Sequence, residues 1–86
     1  MARQVECGEF LVIEATAREM FVAVGSPGIC DYCDAKPEKG YYVAVMNSWY
    51  CPECFERFKR MSKHFAEDRP VEVRNFHYYG MKLGVL

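Results

Sequence analysis

Four cysteines in two pairs, Cys30-Asp-Tyr-Cys33 and Cys51-Pro-Glu-Cys54, separated by seventeen residues, constrain this chain more than any other feature. A two-residue gap lets both sulfurs of a pair turn toward one ion. The longer gap gives the chain room to run out, reverse and return. The spacing therefore predicts one structural Zn²⁺ held by Cys30, Cys33, Cys51 and Cys54. Four cysteines in matched pairs are poorly explained as apolar filler.

A metal staple suits the length. Eighty-six residues support one small core rather than two, and chains of this size often need a cross-link. We therefore expect a single α+β domain over residues 1–86, with a metal module at 29–66 and segments 1–28 and 67–86 packed against it. The apolar share, 51%, is that of a globular chain, and six Tyr, six Phe and one Trp predict a core rich in rings. No apolar run approaches the roughly twenty residues of a membrane span. Glu14, Arg18 and Glu19 interrupt the only stretch resembling a signal-peptide core. Two CxxC pairs suit metal better than disulfides, which points to a reducing, cytoplasmic setting.

The chain reads in three parts. In the first, Phe10, Ile13, Ala17, Met20, Phe21 and Val24 recur at helical spacing and predict a helix from about Gly8 to Val24. The competing reading is a hairpin of 10–13 with 20–24, turning at 15–17. Gly25-Ser-Pro-Gly28 ends either element. In the second, Cys30–Cys33 forms a tight knuckle, and Tyr41–Met46 has strand composition. Asn47-Ser48 suggests a turn and Ser48–Cys51 a returning strand. Pro52 marks a first helical position. From there Phe55, Phe58, Met61, Ser62 and Phe65 line one side of a helix, with Arg57, Arg60, Lys63 and His64 opposite. In the third, Val73, Phe76, Gly80 and Leu83 predict a helix from Pro70 to about Leu83, closed by Gly84, although Val71-Glu-Val-Arg also alternates like a strand.

The order knuckle, hairpin, helix resembles the treble-clef zinc fingers, LIM and GATA-type modules among them, over residues 30 to about 65. The resemblance implies that the second cysteine pair lies on the first turn of the helix. A helix N-terminus, with its free N–H groups and partial positive charge, favours thiolates there. It implies little about partners, because that family includes DNA binders, RNA binders and protein-interaction modules. Two other chemistries use similar sulfurs. Iron in a rubredoxin-like site takes four thiolates, but with both pairs on knuckles. A redox CxxC opens a helix in thioredoxin-like proteins, but within a βαβ pattern that this chain is too short to hold.

The remaining residues carry weaker signals. Cys7 is a lone cysteine near a terminus, for which a small apolar role is the default. His64 and His77 have no nucleophile or carboxylate placed beside them by sequence, so no catalytic residue is assigned and no enzymatic activity or small-molecule substrate is expected. Arg57, Arg60, Lys63 and His64 form a candidate nucleic-acid contact, as in GATA-type fingers. Against it, the formal charge is −1. Between Cys30 and Arg69 seven cations face seven carboxylates. Tyr41, Tyr42, Tyr78 and Tyr79 form a candidate partner surface. The sequence thus leads to a structural-zinc protein that acts as a protein-interaction adaptor. A nucleic-acid-binding finger and a redox-sensitive zinc switch are the alternatives.

Overall fold

Val12 and Ile13 are neighbours in the chain and neither has any exposed surface. Successive side chains of a strand point to opposite faces, so the sheet that holds them must be covered on both sides. The computed structural model, which describes Met1 to Leu86, meets that requirement. Strands β1 (Arg3–Val5), β2 (Val12–Thr16), β3 (Lys39–Val43) and β4 (Ser48–Tyr50) form one antiparallel sheet in sequence order. Helices α1 (Ala17–Val24) and α3 (Arg69–Lys82) supply Met20 and Phe76 to one face, against Ile13, Ala15, Tyr42 and Trp49. Helix α2 (Pro52–Met61) and the cysteines cover the other, against Val12, Val43 and Tyr50. The result is a small α+β domain, and none of its helices is long and apolar enough to cross a membrane.

The register explains the two cores. Ile13, Tyr42 and Trp49 lie side by side across three strands and face α1 and α3. The row beside them, Glu14, Tyr41 and Tyr50, faces the opposite way. Trp49 lies across Gly40, where a Cβ would come within 2.6 Å of the indole and 2.5 Å of the Tyr50 carbonyl. Only glycine allows that approach. The indole N–H then donates to the Ala15 carbonyl at 3.3 Å.

The first part of the chain differs from both expectations. It is neither a helix from Gly8 nor a hairpin of 10–13 with 20–24, but strand β2 running directly into α1. Thr16 decides the boundary. Its hydroxyl accepts from the Glu19 N–H at 3.0 Å, and the Glu19 carboxylate accepts from the Thr16 N–H at 2.8 Å. This reciprocal capping box starts a helix at Ala17 and leaves 12–16 extended. Gly25, at φ 72°, closes α1. Strand β1 was not foreseen; Arg3 and Lys39 hold its neighbour Glu14 from either side, at 3.0 and 3.4 Å.

Two further boundaries move. β3 stops at Val43, because residues 44–46 form a single 3₁₀ turn that ends at Asn47 in the left-handed region (φ 51°). α2 ends at Met61, and Ser62 is already extended, so Phe65 is not on the helix. α3 runs where the spacing placed it, and Gly84 follows at φ 78°.

α3 is anchored by a buried charge. Glu72 has no exposed surface. Its carboxylate accepts from the Leu11 N–H at 2.8 Å, lies 2.8 Å from His64 Nε2 and 3.1 Å from Arg69 Nη1. Arg69 also donates to the Glu9 carbonyl at 3.0 Å. Asn75 adds a bond to the Ala44 carbonyl at 2.9 Å. A buried carboxylate is tolerated only when paired and hydrogen-bonded, and removing one member strands the others. Glu72→Ala is expected to lower unfolding free energy by about 3–5 kcal/mol, and Glu72→Gln by about 1–3 kcal/mol. Urea denaturation of the variants beside the wild-type chain checks this. A Glu72→Ala loss below about 1 kcal/mol would show that the carboxylate is not an anchor.

Candidate metal centre

The four sulfurs predicted to act together do meet. Sγ atoms of Cys30, Cys33, Cys51 and Cys54 all lie within 4.8 Å of one another. Zinc–sulfur bonds of about 2.3 Å in a tetrahedron place sulfurs about 3.8 Å apart. Cys33 and Cys51 are 3.6 Å apart, far beyond the roughly 2.05 Å of a disulfide bond. The set therefore fits one tetrahedral ion with four thiolate ligands. Cys30, Cys51 and Cys54 are buried and Cys33 is exposed, so the ion would sit at the rim of the core with one ligand toward solvent.

Each pair is held by local geometry. The first lies on a knuckle: the Tyr32 N–H points at the Cys30 sulfur at 3.4 Å, and the Asp34 N–H donates to the Cys30 carbonyl at 3.0 Å. Asp34 itself turns the chain with φ 65°. In the second pair, Cys51 is the N-cap of α2 (φ −67°, ψ 163°) and Pro52 is the first helical residue. Cys54 therefore lies in the first turn, beside the positive end of the helix. The knuckle is fastened to β4 by two bonds. The Asp31 N–H donates to the Trp49 carbonyl at 3.0 Å, and the Trp49 N–H donates to the Asp31 carboxylate at 2.8 Å. Those bonds set the first pair against the second, two residues from Trp49.

The thiols do not share one acidity. Burial raises the Cys30 thiol, but N–H groups of Cys51, Cys33 and Tyr32 directed at its sulfur outweigh this and bring it down to about 7. Burial and the adjacent sulfurs push Cys54 up, and burial pushes Cys51 up. Four thiolates cannot crowd together without a cation between them, so the cluster is built to be neutralised by a metal.

The other candidate residues are dispersed. Arg57, Arg60 and Lys63 are exposed, with the Arg57 guanidinium 5.5 Å above the Tyr32 ring. His64 leaves this set. Because α2 ends before it, the chain turns inward, and its side chain is 6% exposed, bound to Glu72 and edge-on to Phe10. His77 is on the outer side of α3. The four tyrosines do not form one patch, since Tyr41 and Tyr42 are consecutive in β3 and face opposite ways. Tyr41 is half-buried on Phe55, Tyr42 is buried beneath Tyr79, and Tyr78 alone is exposed. Cys7 lies outside the sulfur cluster, half-buried in a loop, and burial pushes its thiol up. Sequence reasoning missed Asp31 and Glu72. An Asp inside a knuckle is a signal for side-chain-to-backbone bonding; for Glu72, a single carboxylate on a helix that also carries Arg69, Arg74 and Lys82 gave none.

No protein-family model matches the chain, and neither the curated proteins nor the solved structures contain a match to it.

Asp31→Ala is expected to weaken metal affinity about tenfold by freeing the knuckle. Competition with a coloured chelator measures this, and unchanged affinity would remove Asp31 from the site's support. Acid should release the metal. Protons compete with the metal for Cys30, whose thiol the neighbouring N–H groups bring down to about 7 without metal; a bound cation would hold it deprotonated to lower pH still, so affinity falls as pH falls. Proton competition at all four ligands acts in the same direction. Chelator-detected release that instead rises with pH would contradict the ligand assignment.

Proposed function

We propose that this chain is a structural-zinc protein of the treble-clef kind, which folds around one Zn²⁺ and acts by binding another protein. The convergence of the four sulfurs carries the reading. The order of the elements around them supports it: a knuckle with Cys30 and Cys33, the β3–β4 hairpin, then α2 opening on Cys51 and Cys54. Cys51 and Cys54 begin a helix rather than a second knuckle, which favours zinc over rubredoxin-type iron. Four thiolates fill a tetrahedral shell and leave no position for substrate or activated water, so the metal's role is to hold the fold. We assign no catalytic residue. The zinc–thiolate centre lowers the formal charge of −1 to about −3. That is unfavourable for a general grip on phosphates. Exposed apolar side chains outside the core, Phe21, Met46, Met61 and Phe65 among them, are instead of the kind protein partners cover.

Native mass spectrometry of reduced protein is expected to find one zinc per chain. Gel-shift assays at low salt with random single- and double-stranded DNA and RNA are expected to show no retardation. Retardation abolished by Arg57→Glu with Arg60→Glu would transfer the function to the basic side of α2. Absence of bound metal would remove the zinc reading altogether.

A further inference from the structure

The outer half of α3 does not look like a solvated helix face. Val71, Val73, Tyr78 and Met81 are 45, 47, 55 and 61% exposed. Beyond Glu72 the helix carries no carboxylate. Val71, Arg74, Tyr78 and Met81 follow one another at intervals of three, four and three residues, the spacing of a helix–helix seam. Just before the helix, Glu67 and Asp68 are exposed, and Lys82 is exposed at its far end, beside Arg18 and Val22 of α1. None of Glu67, Asp68, Arg74, Lys82 and Arg18 takes part in an ion pair within the chain.

Acids at the start of a helix and a lysine at its end are explained by the helix dipole alone. The apolar seam between them is not. We propose that this face of α3 pairs antiparallel with the same face of a second copy of the chain. The pattern is self-complementary in the way a two-fold interface requires, with residue i meeting j and j meeting i. With the dyad near the middle of the helix, Val71 of each copy lies against Met81 of the other, and Arg74 lies over the Tyr78 ring. Glu67 and Asp68 of each copy then reach Lys82 and Arg18 of the other. A parallel pair would set like charges together at both ends. The helix is about 21 Å long, so the contact is small beside the roughly 1,200–2,000 Å² of a standard interface. The association is therefore sought over a wide concentration range. The contact uses none of the sulfurs, since α3 covers the sheet face opposite them.

Sedimentation velocity of the full metal-replete chain, from about 5 to about 300 µM at low salt, tests the pairing. The mean mass is expected to rise toward twice that of one chain. Lys82→Glu, the pair Glu67→Lys with Asp68→Lys, and Val71→Asp should each weaken association at least about tenfold. Their circular dichroism and zinc content should match the wild-type chain. An equimolar mixture of the Lys82→Glu chain with the doubly substituted chain should regain association, since each then supplies the charge the other lacks. A wild-type chain that stays monomeric at the highest concentration overturns the proposal. So does a dimer indifferent to these substitutions, or a mixture that does not associate.

Discussion

The convergence of four sulfurs on one point is the constraint from which the rest of this architecture follows. Cys30 and Cys33 come from a knuckle, Cys51 from the end of the hairpin and Cys54 from the first turn of a helix. Holding them together joins three elements that otherwise share only part of one face of a four-stranded sheet. The arrangement needs a cation, because four adjacent thiolates, three of them buried, repel one another and four thiols make weak hydrogen bonds. The folded chain surrounds the site with matching groups. Backbone N–H groups face the Cys30 sulfur, a helix start faces Cys54, and Asp31 fastens the knuckle to the strand that leads into Cys51. A metal bound there would convert a set of local turns into a closed loop.

The opposite face of the sheet is built differently. There the rings of Tyr42, Trp49 and Phe76 fill the space under α1 and α3, and Tyr79 stacks on Tyr42 at 3.9 Å. The carboxylate of Glu72 provides what the sulfur cluster provides on the other side, a point where separate stretches of chain meet. Leu11 of the loop before β2, His64 after α2 and Arg69 at the start of α3 all converge on it. A domain this small buries a limited share of its surface. Two polar junctions, one on each face, offset that limit by fixing the loops that a larger core would hold through packing alone. Every buried side-chain nitrogen and oxygen has a hydrogen-bond partner, which is the condition under which such junctions stabilise rather than strain a core.

Much of this was legible in the residues, and the parts that were not have identifiable causes. The sulfur cluster was readable because spacing alone limits what paired thiols can do. α3 and the start of α2 were readable because apolar periodicity and Pro52 act locally. The helix to Val24 and its stop at Gly25 were legible, but its start at Gly8 was misread, since residues 12–16 are strand. Phe10, Ile13, Ala17 and Met20 fit helical spacing by coincidence, while the capping box of Thr16 and Glu19 carried the true boundary. Val12 and Ile13, both buried, gave no alternation because the sheet is covered on both faces, so the usual strand signal was missing. His64 was assigned to the surface by extending α2 one turn too far. Its partner lies eight residues on, at Glu72, in a different element. That pairing is set by tertiary packing, and no local pattern encodes it.

The central claim is that one ion held by Cys30, Cys33, Cys51 and Cys54 organises the fold. Trp49 reports on it directly, since it is 2% exposed, bonded to Asp31 of the knuckle and two residues from a ligand. Zinc titrated into reduced, metal-free protein, followed by Trp49 fluorescence, should move the emission from an exposed to a buried position and saturate at one equivalent per chain. Emission that is already that of a buried indole without metal, and that zinc leaves unchanged, would contradict the account.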